Sequence, residues 1–390
     1  MNNFQFYSPT RFIFGKGEEN NVGVYAKSCG ATKALVLHYG TGQAFETTLM
    51  DRVFASLKEA GVEYVDFTGI KPNPTAERAE EGKMAVLTEG VDFLIPVGGG
   101  SVIDTAKYIA VAAYHDGDTF DDFYLHKRPV ERAMPVGCVA TIIGTGSEGS
   151  FSSVVTRDGL KRSLNDDKIR PVFSILNPEL SYTLPPFQTA SGAVDIMAHA
   201  HERYFTLNPD NYLTDNLCEA VFRTVIKYLP LALKCPTDYN ARAQLLWASV
   251  LAHNDSCGVG RVVDGTVHGI QSEIGGRYDT AHGAGVACVT PAWMKYVYKA
   301  DMRRFQRYFN VVWGLEADPY DPESMILKGI ETQKEFYRSV GIPVHYAEIG
   351  VIKEDIPALV STIRRGPDGK AGNFMKLGDE DLIKIYDLME

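Results

Sequence analysis

The first half of the chain alternates short apolar runs with glycine- or proline-marked breaks. Ala34 to Tyr39 (ALVLHY) reads as a buried strand, Gly40-Thr41-Gly42 as a turn, and Leu49, Val53 and Leu57, four residues apart, as the apolar stripe of a helix. A second strand is predicted at Val62 to Phe67, a helix starting near Thr75 after Pro72-Asn73-Pro74, a third strand at Asp92 to Val97 (DFLIPV) and a fourth at Val136 to Ile142. Strands and helices in alternation imply a parallel sheet covered on both faces. After a less regular stretch ending at Pro185-Pro186, long amphipathic segments take over from about Gln188. The expectation is an α/β domain over 1–186 and an all-α domain over 187–390, tightly packed with a ligand cleft between them.

Composition narrows what such a molecule binds. With 390 residues, 45% of them hydrophobic, the chain can bury two cores. A formal charge of -10 argues against nucleic acid or an anionic membrane as partner and leaves a small molecule. The six cysteines, Cys29, Cys138, Cys218, Cys235, Cys257 and Cys288, form no CxxC pair, which suits a reducing compartment. The opening MNNFQFYSPT lacks the basic start and apolar core of a signal peptide, and no apolar run reaches the roughly 18 residues of a membrane span. A cytoplasmic protein is expected.

The third strand runs into Gly98-Gly99-Gly100-Ser101 and then a helix start, VIDTAK. Glycines allow close backbone approach, and the first helical N–H groups lack internal partners, so this turn can hold a pyrophosphate. A plainer reading has Ser101 capping the helix with Asp104 completing a capping-box-like pair. A second turn, Gly144-Thr145-Gly146-Ser147-Glu148, follows the fourth strand. In a parallel sheet both turns leave the carboxyl edge, where ligands bind.

The second half carries a different chemistry. Asp195 and His199 lie four apart, one turn apart on a single helix face that Glu202 joins, whereas His201 points about 240° away from Asp195. Such a pair also suits a surface or capping role. His268 and His282 stand downstream in VHGIQSEIGGRYDTAHG, and one carboxylate with three imidazoles makes a mononuclear site suited to Fe(II) or Zn(II). A dinucleotide fold beside an open metal site points to hydride transfer to or from a carbonyl carbon.

These motifs together resemble the iron-containing, group III alcohol dehydrogenase family, in its butanol-dehydrogenase-like branch with NADPH-linked aldehyde reductases. The likeness begins with Phe14-Gly15-Lys16-Gly17 and Pro72-Asn73-Pro74. It continues through GGGSVIDTAK, GTGSE and NPELSYTLP to GxxDxxxHxxE and the two downstream histidines. It implies a dehydroquinate-synthase-like architecture, a Rossmann-like N-terminal domain and an all-helical C-terminal one, assembled as a homodimer or larger. It implies a metal on Asp195, His199, His268 and His282, and a nicotinamide dinucleotide near Gly98, Gly99, Gly100, Ser101 and Asp104. Thr141, Thr145 and Ser147 would line the second turn, Lys161 would approach the cofactor, and Thr183 and Leu184 would close over it. The implied reaction interconverts a small aldehyde and a primary alcohol.

The first-strand turn bears on the cofactor. An acidic residue there would bond the adenosine ribose of NAD(H), and the segment His38 to Gly42 has none, so Gly40 and Gly42 favour NADP(H). One position departs from the family pattern: Ser272 stands where a histidine follows the third ligand by four residues. Proton relay therefore falls to Ser272, water or the cofactor ribose, with Glu273 and Asp279 as further candidates. His253 reads as a packed helix residue. The alternative function is a dehydroquinate-synthase-like lyase, which uses NAD and a metal without net cofactor oxidation.

Overall fold

The computed structural model describes every residue of the chain except Pro209. It divides into two compact units, one of Tyr7–Leu184 and one of Met1–Phe6 with Pro185–Glu390.

The first unit is built on eight strands, β1 Arg11–Phe14, β2 Lys33–Leu37, β3 Glu63–Phe67, β4 Phe93–Gly98, β5 Gly137–Ala140, β6 Ser152–Arg157, β7 Leu160–Asn165 and β8 Phe173–Leu176. Six form a sheet in the order β1-β8-β5-β4-β2-β3, with every pairing parallel. Four helices accompany it, α1 Val22–Ser28, α2 Ala44–Glu59, α3 Ala76–Glu89 and α4 Gly100–Ala112. Side chains alternate along each strand, so the sheet feeds two cores. Leu35, Leu37 and Leu94 pack with Ala79 and Val86 of α3 and Ile103 and Ile109 of α4. Val36, Ile95 and Val97 pack with Ala26 of α1 and Leu49, Val53 and Leu57 of α2.

The region read as irregular before Pro185 holds three strands. β6 and β7 form an antiparallel hairpin around Asp158 and Gly159, both with positive φ (53° and 75°), as a tight two-residue turn demands. β8 inserts between β1 and β5. Because β3 lies on one side of β2 and β4 on the other, sheet growth reverses between β2 and β4. That is the topological switch point, where open α/β sheets bind their ligands.

In the second unit the chain forms α5 Pro186–Tyr204, α6 Tyr212–Lys234, α7 Tyr239–His253, α8 Thr266–Tyr278, α9 His282–Val297, α10 Met302–Trp313, α11 Pro322–Ser339, α12 Ile356–Thr362 and α13 Asp379–Asp387. Helix α5 is buried along nearly its whole length and packs against α6, α7 and α9. Among the described residues, no helix is long and apolar enough to cross a membrane. The N-terminal segment joins this unit through the Asn2 N–H, which donates to the Gly260 carbonyl at 2.9 Å.

Candidate functional site

Helix α5 presents Asp195 and His199 one turn apart, α8 supplies His268 and the first residue of α9 is His282. Their Nε2 atoms converge on Asp195 Oδ1, at 3.3 Å for His282, 3.5 Å for His268 and 3.7 Å for His199. Donors about 2.1 Å from a shared tetrahedral centre would stand about 3.4 Å from one another. Asp195 Oδ1 is buried and has no hydrogen-bond partner among the described residues, a costly state unless a cation completes it. Asp195, His268 and His282 each offer a donor atom within 4.8 Å of the others, the donor set of a divalent ion. The residues present therefore fit a metal.

Neighbouring groups orient these side chains. Glu202, two turns along α5 from Asp195, sets Oε2 2.8 Å from His268 Nδ1, and its Oε1 accepts the His268 backbone N–H at 2.9 Å. A carboxylate there keeps the proton on Nδ1 and frees Nε2 for a metal. Burial lowers the His268 pKa, but Glu202 and Asp195 outweigh it and raise it to about 10. At Asp195 burial pushes upward, and the surrounding imidazoles more than offset it, holding the carboxyl well below its usual range. His201 faces elsewhere, with Nε2 2.7 Å from the Tyr308 hydroxyl, and burial pulls its pKa down to about 3.

His253, read from the sequence as a packing residue, lies face to face with His199 at a centroid distance of 3.9 Å. His199 in turn stacks on His268 at 4.5 Å, so three imidazoles form one column. Burial first, and the His253 ring next, hold His199 well below its ordinary pKa. Ser272 is half-buried, one turn beyond His268 on α8; Glu273 is buried, and Asp279 caps the helix in a left-handed conformation (φ 51°) at an exposed position.

In the first unit, Gly99 is the N-cap of α4 without a side-chain cap bond, so Ser101 sits inside the first turn and not at the cap. The capping-box reading of Ser101 and Asp104 is thereby replaced. The glycines are fixed by crowding: a Cβ on Gly98 would meet Val102 at 2.5 Å, on Gly99 Ile142 at 2.3 Å and on Gly100 Thr145 at 2.8 Å. Thr141 N–H donates to the Gly98 carbonyl at 3.0 Å, so the two turns abut at the sheet edge. Asp104 is half-buried and accepts from Ser147 Oγ at 2.6 Å and from Val154 N–H at 3.0 Å. It joins the turns to each other.

Lys107, which the sequence reading did not single out, is the hub of this joint. Its buried Nζ donates to the carbonyls of Ser147, Ser150 and Ser152 at 2.7, 2.9 and 2.8 Å and to the Ser147 hydroxyl at 3.0 Å. Burial pushes its pKa down to about 8, and burial likewise lifts Glu148 to about 7. Lys161, on β7, donates to Asn73 Oδ1 at 2.9 Å, joining the hairpin to the Pro72-Asn73-Pro74 segment. Thr183 is exposed and Leu184 half-buried in the turn that ends this unit.

At the switch point Tyr39 OH accepts the Gly99 N–H at 3.3 Å, so the turn after β2 touches the turn after β4. Gly40 and Gly42 both have positive φ (74° and 69°). No acid lies within His38 to Gly42, yet folding returns one from six residues on: Glu46 accepts the N–H groups of Gly40 at 2.8 Å and Thr41 at 2.6 Å.

Residues 9–178 match the family model for iron-containing alcohol dehydrogenase, and residues 189–389 match that for the C-terminal region of the Fe-containing alcohol dehydrogenase family. The chain is 34% identical over 391 residues to NADH-dependent butanol dehydrogenase A of Clostridium acetobutylicum, covering 99% of both. It is 32% identical over 368 residues to the NADPH-dependent aldehyde reductase YqhD of Escherichia coli, covering 93% of both. The crystal structure of NADH-dependent butanol dehydrogenase A from Thermotoga maritima matches with a TM-score of 0.95 at 36% identity, covering 100% of this chain and 98% of that one. With both halves matched and the architecture shared, the chain is an NAD(P)-dependent oxidoreductase that belongs to the iron-containing alcohol dehydrogenase family.

Proposed function

We propose that this oxidoreductase is metal-dependent and reduces small aldehydes to primary alcohols, with the reverse reaction open when alcohol is abundant. The observation that carries the reading is the convergence of three imidazole Nε2 atoms, at 3.3, 3.5 and 3.7 Å, on the buried, unpartnered Oδ1 of Asp195. Asp195, His199, His268 and His282 are the residues that would hold Fe(II) or Zn(II). A divalent ion supplies Lewis-acid polarisation of a carbonyl oxygen, and a reduced nicotinamide supplies hydride.

The chain's own groups prepare that chemistry. Glu202 Oε2, 2.8 Å from His268 Nδ1, would favour the tautomer that leaves Nε2 aimed at the shared point. Ser272, half-buried one turn beyond His268, offers a hydroxyl for the alcohol proton. The crowded N-terminus of α4 presents backbone N–H groups to a pyrophosphate, and Asp104 and Lys107 keep the neighbouring turn in place. The relatives named for butanol and aldehyde substrates support a small carbonyl compound as substrate.

The test pairs metal analysis with cofactor oxidation. Asp195→Ala and His268→Ala should each lose bound metal and butanal-dependent NAD(P)H oxidation together while remaining folded by circular dichroism. Full turnover in either variant would overturn the assignment.

A further inference from the structure

The turn at the switch point is already occupied by an anion belonging to the protein. Glu46, in the first turn of α2, reaches back so that its carboxylate takes the N–H groups of Gly40 and Thr41 and the Thr41 hydroxyl, and also contacts His38 Nδ1 at 3.0 Å. His38 Nε2 lies 2.8 Å from Asp66 Oδ1, so both imidazole nitrogens face carboxylates. Arg78, near Gly69 at the end of β3, is committed as well. Its Nε and Nη2 donate to the Thr68 carbonyl, its Nη1 pairs with Glu81, and its guanidinium lies over the Phe67 ring. The donors and cations that a phosphate would seek here are already in use.

This turn touches the glycine turn at the head of α4 through Tyr39 and Gly99. A dinucleotide with its pyrophosphate on α4 would carry one of its riboses towards the neighbouring strand end, where an acid can accept the 2′-hydroxyl of NAD. We infer that Glu46 is a specificity-determining residue that makes this enzyme select NAD(H) over NADP(H), by occupying with its own carboxylate the backbone donors a ribose 2′-phosphate would need. The inference rests on the proposed use of a nicotinamide cofactor, and it reverses the preference that the acid-free segment His38 to Gly42 suggests when read linearly. A phosphate at that position carries between one and two negative charges near neutral pH. It would meet Glu46 and Asp66 directly, while a bare hydroxyl could donate to either.

The experiment measures binding as well as turnover. Full-length wild type, Glu46→Gln and Glu46→Ala are titrated with NADH and with NADPH by nucleotide fluorescence in the absence of aldehyde, with thermal melts run alongside. Wild type should bind NADH at least ten-fold more tightly than NADPH. Both substitutions should shrink that ratio at least five-fold, mainly by strengthening NADPH, and Ala more than Gln because it clears both N–H groups. Wild type that binds NADPH as tightly as NADH overturns the inference. So does an unchanged ratio in either folded variant, which would leave Glu46 a turn-bracing residue only. Failure of wild type to bind either nucleotide would instead sink the cofactor reading beneath it.

Discussion

At the residue scale the site is defined by what surrounds Asp195 and its three imidazoles as much as by those four side chains. His253 closes the column of stacked rings on the side of His199 away from His268. Replacing it with leucine should let the His199 ring turn and weaken metal affinity by roughly ten-fold, the lower end of losses seen when groups supporting a ligand are removed. His253→Phe keeps a flat ring and should retain most of the affinity. Chelator competition on the two variants checks this, and equal losses would show that ring stacking is not what matters. The sequence made the Asp195 and His199 pair legible because four residues is one helical turn, and it marked Glu202 as sharing their face. It could not show His253 against His199, since α7 and α5 meet only in the folded unit. Glu46 was hidden for a related reason: a search of the five residues after β2 misses a carboxylate that returns from the next helix.

At the scale of elements, the approach of α9 to α5 positions His282. Gly283 lies so close to α5 that a Cβ would stand 1.9 Å from the Ser191 carbonyl oxygen, a backbone atom that cannot step aside. Gly283→Ala should therefore push the helices apart, at a cost at or above the roughly 1–3 kcal/mol usual for overpacking. Because the displaced residue adjoins His282, metal affinity should fall along with the denaturation midpoint. Stability lost without any change in metal binding would uncouple the two. Among elements, the buried central strands were readable as continuous apolar runs bounded by turns. β1 and β8 were not, being four residues each and lacking a distinctive alternation, and the β6–β7 hairpin escaped although its Asp158-Gly159 turn is a hairpin signal. The resemblance of ordered motifs along the chain carried the architecture where periodicity fell silent.

At the scale of the whole molecule, the chemistry is divided by sequence: the glycine turns belong to Tyr7–Leu184 and the imidazoles to the helical unit. A metal that binds only the folded helical unit stabilises it by mass action, about 2.7 kcal/mol at a hundred-fold excess over Kd. Removing it with a chelator should lower the melting temperature by several degrees, and Fe(II) or Zn(II) should restore it. The same treatment of Asp195→Ala should change nothing, and calorimetry distinguishes these outcomes. The helical unit also includes the start of the chain, held by the bond between Asn2 and Gly260. During synthesis those first residues emerge long before their partner exists. At about 5–20 residues per second Asn2 waits roughly 10–50 s for Gly260, while the sheet encoded between them can already assemble. The bond between Asn2 and Gly260 is thus a late one, closed only when most of the helical unit has been made, although Asn2 is translated before the sheet.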